Sequence, residues 1–294
     1  MIEINQAFIA EQLRVPGPND NKYSRGSVLL ATGSPTYPGA AVLGVHGALG
    51  AGAGLVRYAG PERCENLVLQ SFPEVVVGAG RADVAVIGSG WDSSMVLQAE
   101  AVAGQWAEGP RPLVVDAGAL LGIRQWVGQN PLVVATPHTG EGAAMFKQLG
   151  EERSREELDR NVVAGARDLA KLAGCLVVLK GATTCVAVPG GPTYTYSAPC
   201  GWGATAGSGD VLAGVIAALL AALSQQVERE GTHLTPTLMS GAAAAAVGLH
   251  GLAAAQAAGF SERLPTGRGG MPITASQIAN SVPTTFGSVL QKGC

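Results

Sequence analysis

The sequence predicts an α/β fold of three layers, with a mostly parallel central sheet and helices on both faces. Three observations carry this. Short apolar runs recur at 27–32, 55–59, 83–88, 112–116, 132–135 and 175–179, separated by segments of helical character. Most are continuously apolar rather than alternating, the pattern of strands covered on both faces. The 294 residues are 47% hydrophobic and only 14% charged, with 42 glycines, which suits one extensive and closely packed core. No low-complexity linker or repeat divides the chain, so a single domain over 1–294 is expected, with 1–20 as a polar N-terminal extension.

In chain order, Pro16-Gly17-Pro18-Asn19-Asp20 closes that extension as a loop. The strand at 27–32 runs into the loop 33–37, and Pro38 sits near the first turn of a helix reaching about Gly50. Gly50-Ala51-Gly52-Ala53-Gly54 looks like a dinucleotide fingerprint but follows a helix and precedes a strand, the wrong context. It reads as a helix stop and tight turn before the strand at 55–59. Strands at 74–78 and 83–88 come next, then a helix at 93–106 and strands at 112–116 and 132–135. A charged helix is expected at 154–172, with Leu158, Val162, Leu169 and Leu172 near helical spacing. The strand 175–179 leads into Lys180, and 183–188 and 193–196 form a hairpin around Pro189-Gly190-Gly191-Pro192. Buried apolar helices from 211, over 235–259 and over 274–290 finish the chain.

Composition also excludes. A net charge of −3 gives no electrostatic case for nucleic acid or an anionic membrane, so any phosphate must be held locally, by loops and helix ends. Cys64, Cys175, Cys185, Cys200 and Cys294 show no C-x-x-C spacing, which fits a reduced cytoplasmic setting. The start carries Glu3 and Glu11 without a basic n-region, unlike a secretory signal. Residues 240–259 lack Asp, Glu, Lys and Arg, yet are mostly Ala and Gly, so they read as a buried helix rather than a membrane span.

Five segments with unusual polar or glycine content follow apolar runs: Gly33 to Ala41, Gly88 to Asp92, Thr136-Pro137-His138-Thr139-Gly140-Glu141, Lys180-Gly181-Ala182-Thr183-Thr184, and Ala206-Gly207-Ser208-Gly209-Asp210. Open α/β sheets bind ligands at the carboxyl ends of their strands, so the five together predict a cleft. The last segment opens a helix, where unpartnered N–H groups and the dipole favour an anion. Asp210 there is either a helix cap or a base for a hydroxyl. His138 reads as a ligand contact or a cap. Glu141 reads as a capping-box acid or as a carboxylate holding magnesium through water. Lys180 ends a buried strand, so it must meet solvent, a carboxylate or a phosphate. His46, His233 and His250 show no partner spacing and read as structural.

With these segments in place, the chain resembles the ADP-dependent NAD(P)H-hydrate dehydratase family, which has a ribokinase-like fold. The resemblance runs from about Lys22 to Leu290. Its most specific stretches are Tyr37-Pro38-Gly39-Ala40-Ala41, Thr136 to Glu141 and Lys180 to Thr184, in that order, with Val115-Asp116-Ala117-Gly118-Ala119-Leu120 also matching. The Gly207–Asp210 turn is shared more widely among ribokinase-like kinases. The resemblance implies repair of hydrated NADH or NADPH: ADP phosphorylates the C6 hydroxyl, phosphate is eliminated, and AMP is the by-product. By resemblance, the hydrated cofactor contacts Ala41, Gly90, His138 and Asp210. AMP or ADP contacts Lys180, Gly181, Ala182, Thr183, Thr184 and Gly209, and the Gly207, Ser208 and Gly209 amides form the anion hole. Asp210 would be the catalytic base, with Mg2+ on the nucleotide phosphates and ADP or ATP as co-substrate. The resemblance also implies a homotetramer; a separate epimerase is expected, because about twenty residues precede the first core strand. Gly203 departs from the family, which more often has an apolar residue there. The alternatives are an ATP-dependent kinase of a small vitamin precursor on a similar fold, and a nucleotide-binding protein without catalysis.

Overall fold

The structure is a computed structural model that describes residues 1–92, 95, 111–260 and 269–292. The strands are β1 (Ile2–Glu3), β2 (Ser27–Ala31), β3 (Leu55–Tyr58), β4 (Val76–Val77), β5 (Val84–Ile87), β6 (Leu113–Val115), β7 (Val133–Ala135), β8 (Leu176–Leu179), β9 (Thr183–Ala187) and β10 (Thr193–Ser197). They form one sheet in the order β1-β10-β9-β8-β7-β6-β5-β2-β3-β4. Of these, β9 alone runs against its neighbours, and the other pairings are parallel. The helices are α1 (Gln6–Gln12), α2 (Gly39–Gly50), α3 (Glu62–Ser71), α4 (Ile123–Gln129), α5 (Thr139–Leu149), α6 (Arg155–Arg160), α7 (Val162–Ala173), α8 (Ser208–Arg229), α9 (Pro236–Ala257) and α10 (Ala275–Lys292).

The continuous apolar runs now have their physical reason. Along β2, β5 and β8, side chains point alternately to two cores. Val28, Leu30, Val84, Val86, Leu176 and Val178 join one core with residues of α1, α2, α3, α8, α9 and α10. Leu29, Ala31, Ala85, Ile87, Val177 and Leu179 join the other, with residues of α4, α5, α6 and α7. A strand buried on both faces has no position for a polar side chain. The apolar helices α8 and α9 are each long enough to cross a membrane, but 67% and 83% of their most apolar windows are buried inside this fold.

The structure corrects three element assignments. The N-terminal extension is part of the fold: β1 pairs with β10, and Ile9 of α1 is 1% exposed within the first core. The charged helix expected at 154–172 is two helices, because Asn161 ends α6 and its side chain caps α7. The short helices α3 and α4 were not anticipated. The helix expected at 93–106 lies outside the described residues, Met95 apart. The glycine run after α2 stops that helix as expected, with Gly52 at φ 92.

Position at the site is set by one glycine contact. A Cβ on Gly214 of α8 would overlap the Gly44 carbonyl of α2, and one on Gly47 of α2 would overlap the Val211 carbonyl of α8. Only hydrogen at these positions lets the two backbones touch. Gly214→Ala should therefore lower stability by about 1–3 kcal/mol. Gly287→Ala in α10, where a Cβ meets nothing within 4 Å, should be neutral or stabilising by ~0.5–1 kcal/mol. Urea unfolding of the two variants against the parent separates these outcomes.

Candidate functional site

The carboxyl ends of four adjacent strands converge on Asp116. It follows β6, is 2% exposed, and precedes Ala117, whose φ of 41 is uncommon for a residue with a Cβ. The ammonium of Lys180, just past β8, donates to Asp116 Oδ1 at 2.8 Å. Thr136, past β7, donates its hydroxyl to the same oxygen at 2.7 Å, and Ser89, past β5, donates to Oδ2 at 2.9 Å. Burial pushes the Asp116 carboxyl up, but Lys180 and the two hydroxyls outweigh it, and the group stays below its ordinary range. Burial opposes the Lys180 charge as well, but Asp116, Glu141 and Asp210 raise it above a normal lysine. Lys180 is thus a stable cation at the end of a buried strand.

Asp210 stands in the first turn of α8, beyond Gly207, which takes φ 86 and provides no side-chain cap. Its carboxyl is pushed up to about 7, first by burial and then by the negative charges of Asp116 and Glu141, which outweigh the attraction of Lys180. A carboxylate there sits poised near neutrality, as a general base requires. A Cβ on Gly209 would lie 3.2 Å from Lys180 Nζ, so the two are close neighbours.

His138 caps α5. Its Nδ1 accepts from the amides of Gly140 at 3.0 Å and Glu141 at 3.1 Å, and Glu141 Oε2 accepts from the His138 amide at 2.8 Å. The capping-box alternative therefore holds for both residues, and Glu141 Oε1 remains 3.6 Å from His138 Nε2. The His138 loop is tied to β8 through the Lys180 amide, which donates to the Pro137 carbonyl at 2.8 Å.

A cavity of about 780 Å³ opens beside this cluster. Of the anticipated residues, His138, Lys180, Gly181, Ala182, Thr184, Ser208 and Gly209 line it. Thr183, Gly207 and Asp210 are not among the lining residues, although Ser208 and Gly209 between the last two are; Thr183 pairs its hydroxyl with Ser197 at 3.0 Å. Ala41 and Gly90 lie apart from the cavity, together: Ala41 is fully buried, and a Cβ on Gly90 (φ 66) would come 2.5 Å from Ala40 Cβ. What Ala41 and Gly90 can present to a ligand is backbone. Gly203 lines the cavity too, and a Cβ on it would contact Ala254 Cβ at 3.4 Å. A separate hollow of about 430 Å³, lined by Leu132, Val227 and Leu234 among others, lies at the opposite end of the strands. Among the described residues, no three His, Cys, Asp or Glu side chains group as metal ligands.

Two residues at the site escaped the sequence reading of roles. Asp116 ends a buried apolar strand just as Lys180 does, and the same desolvation argument applied to it would have paired the two. His250 lines the cavity within 3.3 Å of the Ser208 hydroxyl, so it is not a remote structural histidine. Its signal was a lone imidazole at the end of a run of alanines and other small residues.

The family model described as NAD(P)H-hydrate dehydratase matches residues 28–265. The chain belongs to the NAD(P)H-hydrate dehydratase family. It is 41% identical over 224 residues to the Mycobacterium tuberculosis bifunctional NAD(P)H-hydrate repair enzyme Nnr, covering 72% of this chain and 44% of that protein. It is 34% identical over 228 residues to the Xanthomonas campestris ADP-dependent (S)-NAD(P)H-hydrate dehydratase, covering 70% and 76%. The chain spans about half the length of the bifunctional relatives it matches. Among solved structures, the Bacillus subtilis ADP/ATP-dependent NAD(P)H-hydrate dehydratase, co-crystallised with ATP and Mg2+, superposes with a TM-score of 0.76 at 24% identity over 97% of each chain. An Enterococcus faecalis ribokinase-like superfamily protein gives 0.78 at 22% identity, over 99% of this chain and 96% of that one. These likenesses establish the ribokinase-like fold. A hydroxyethylthiazole kinase from Pyrococcus horikoshii gives only 0.55 at 20% identity.

The Lys180–Asp116 pair makes a direct prediction. Asp116→Ala leaves a mostly buried ammonium without its partner and should cost about 3–5 kcal/mol. Lys180→Met combined with it should cost clearly less than the sum of the two single changes. Denaturant titration of the four proteins reads the coupling.

Proposed function

We propose that this protein dehydrates (S)-NADHX and (S)-NADPHX to NADH and NADPH, with ADP as phosphoryl donor and AMP and phosphate as by-products. The observation that carries the reading is Asp210: a carboxylate poised at about 7, at the mouth of an uncapped helix, beside a buried cation. Asp210 takes the proton of the C6 hydroxyl as that oxygen attacks the terminal phosphorus of ADP. The phosphorus–oxygen bond to AMP breaks, and the amides opening α8 stabilise the charge gathering on the transferred group. The new phosphate ester lies beside the ring nitrogen. The nitrogen lone pair expels phosphate, the adjacent carbon loses a proton, and the ring double bond returns. Closure of the cleft to water keeps the hydroxyl from re-adding.

Lys180 serves the nucleotide side, with Gly181, Ala182, Thr183, Thr184 and Gly209. Ala41, Gly90, His138 and Asp210 serve the hydrated cofactor. Mg2+ belongs on the nucleotide phosphates, where it neutralises charge. Glu141 would hold it through water, since its Oε2 accepts from the His138 amide and Oε1 lies outside that hydrogen bond. The same reading takes the protein as a cytoplasmic homotetramer working alongside an NAD(P)HX epimerase activity. The name of the Xanthomonas relative supports the choice of ADP and of the S epimer.

Four outcomes test it. Asp210→Asn should lower turnover by about 10²–10⁴-fold, the usual worth of a general base. In the parent, kcat/KM should fall as pH drops through about 7, because the protonated acid cannot accept a proton. Stability should move the other way. A folded-state value above the unfolded one favours folding at low pH, and that contribution is lost as pH rises through about 7. Asp210→Asn should therefore melt above the parent at pH 8, with the gap closing by about pH 4. With hydrated NADH and ADP, absorbance at ~340 nm and phosphorus NMR should show NADH, AMP and phosphate in equal amounts. A phosphoester that persists would favour the vitamin-precursor kinase instead.

A further inference from the structure

We infer that His250 is a positioning residue for the anion site: as a neutral imidazole it donates its Nε2 hydrogen to the Ser208 hydroxyl, and so turns that hydroxyl's own hydrogen toward a phosphate oxygen of the nucleoside diphosphate. The inference rests on the nucleotide reading above and assigns the chemistry of one of its edges.

The placement comes first. His250 and Ser208 lie on different helices, α9 and α8, and both line the same cavity with Lys180 and Gly209. His250 Nε2 lies 3.3 Å from Ser208 Oγ. The preceding stretch of α9, from Met239 to Leu249, is buried and almost wholly apolar, so packing alone does not call for an imidazole at its cavity end. Gly251 beside it lets the Tyr196 ring press against the α9 backbone, where a Cβ would collide with that ring.

Charge state follows from surroundings. Burial, and then the nearby Lys180 ammonium, hold the His250 imidazolium down, to about 4, against the opposing pull of the Ser208 backbone. The ring is neutral at working pH, so one nitrogen carries hydrogen and the other accepts. If Nε2 accepted, Ser208 would spend its hydrogen on the ring and face the phosphate with oxygen lone pairs, which repel it. If Nε2 donates, the serine hydrogen is left for the anion. A phosphate in the cradle selects the second arrangement. Ser208 then adds a hydroxyl donor to the amides opening α8, and a half-buried neutral histidine contributes to anion binding without placing a second cation beside Lys180.

The test is a double-mutant cycle read by calorimetric titration of ADP with Mg2+ into the full chain, with NADH as the probe of the cofactor side. His250→Phe should weaken ADP about tenfold, the worth of a hydrogen bond to a charged group, and leave NADH unchanged. His250→Gln, whose amide N–H can replace Nε2–H, should recover most of the loss. Ser208→Ala should weaken ADP by a similar factor, and His250→Phe added to it should weaken ADP no further. Nitrogen-15 spectra of the parent should show His250 neutral and protonated at Nε2, a result independent of any variant's folding. An Nδ1-protonated ring, a His250→Phe variant that binds ADP like the parent, or losses that multiply in the double variant would overturn the inference. A parent that binds no ADP would overturn the nucleotide reading beneath it.

Discussion

Lys180 has three carboxylates within electrostatic reach, Asp116, Glu141 and Asp210, and cannot neutralise them all. Asp116 holds the strongest claim, because it is deeply buried and already receives hydroxyls from Ser89 and Thr136. Asp210 feels the same ammonium, but it also feels the charge of Asp116 and Glu141, and burial decides the balance against ionisation. The basicity of Asp210 is therefore a property of the cluster. The strand ends supply that cluster because β5, β6, β7 and β8 are parallel neighbours and deliver Ser89, Asp116, Thr136 and Lys180 to one edge. An antiparallel sheet of the same composition would scatter these four residues over two edges.

The base itself arrives from elsewhere in the chain. α8 has no strand leading directly into it, so its first turn is fixed by packing against α2 through Gly44, Gly47 and Gly214. The same α2 starts from the loop that Gly90 supports from below. One helix–helix contact thus sets the distance between the backbone proposed to face the hydrated cofactor and the carboxylate proposed to act on it. This couples stability to function at residues that touch no ligand.

Much of this was legible in the sequence. The parallel sheet could be read because strands buried on both faces leave no polar position, and the β9–β10 hairpin because Pro189 to Pro192 must turn. The five loops were legible through their glycines, and Lys180 through the cost of burying a charge. What escaped has a common cause: it depends on pairings between distant positions. Asp116 and Lys180 are 64 residues apart, and Ser208 and His250 are 42 apart. Local patterning cannot distinguish a histidine facing a cavity from one packed in a core. The break at Asn161 was missed for a different reason. Helical spacing of Leu158 and Leu169 continues across it, and only the cap geometry shows that the chain restarts. The N-terminal strand is two exposed residues long, with no apolar run to reveal it.

Three helices, α2, α5 and α8, begin at the edge of the sheet where the strands end. Each presents the positive end of its peptide dipoles there, worth about half an elementary charge. Their negative ends lie on the far side of the molecule. Together with Lys180, the positive helix ends offset the carboxylates of Asp116, Glu141 and Asp210 gathered at the same edge. Dipoles set in protein are screened by salt less than solvated side chains are. An anion held by the amides of these helix ends should thus respond to ionic strength less than one held by solvated side chains.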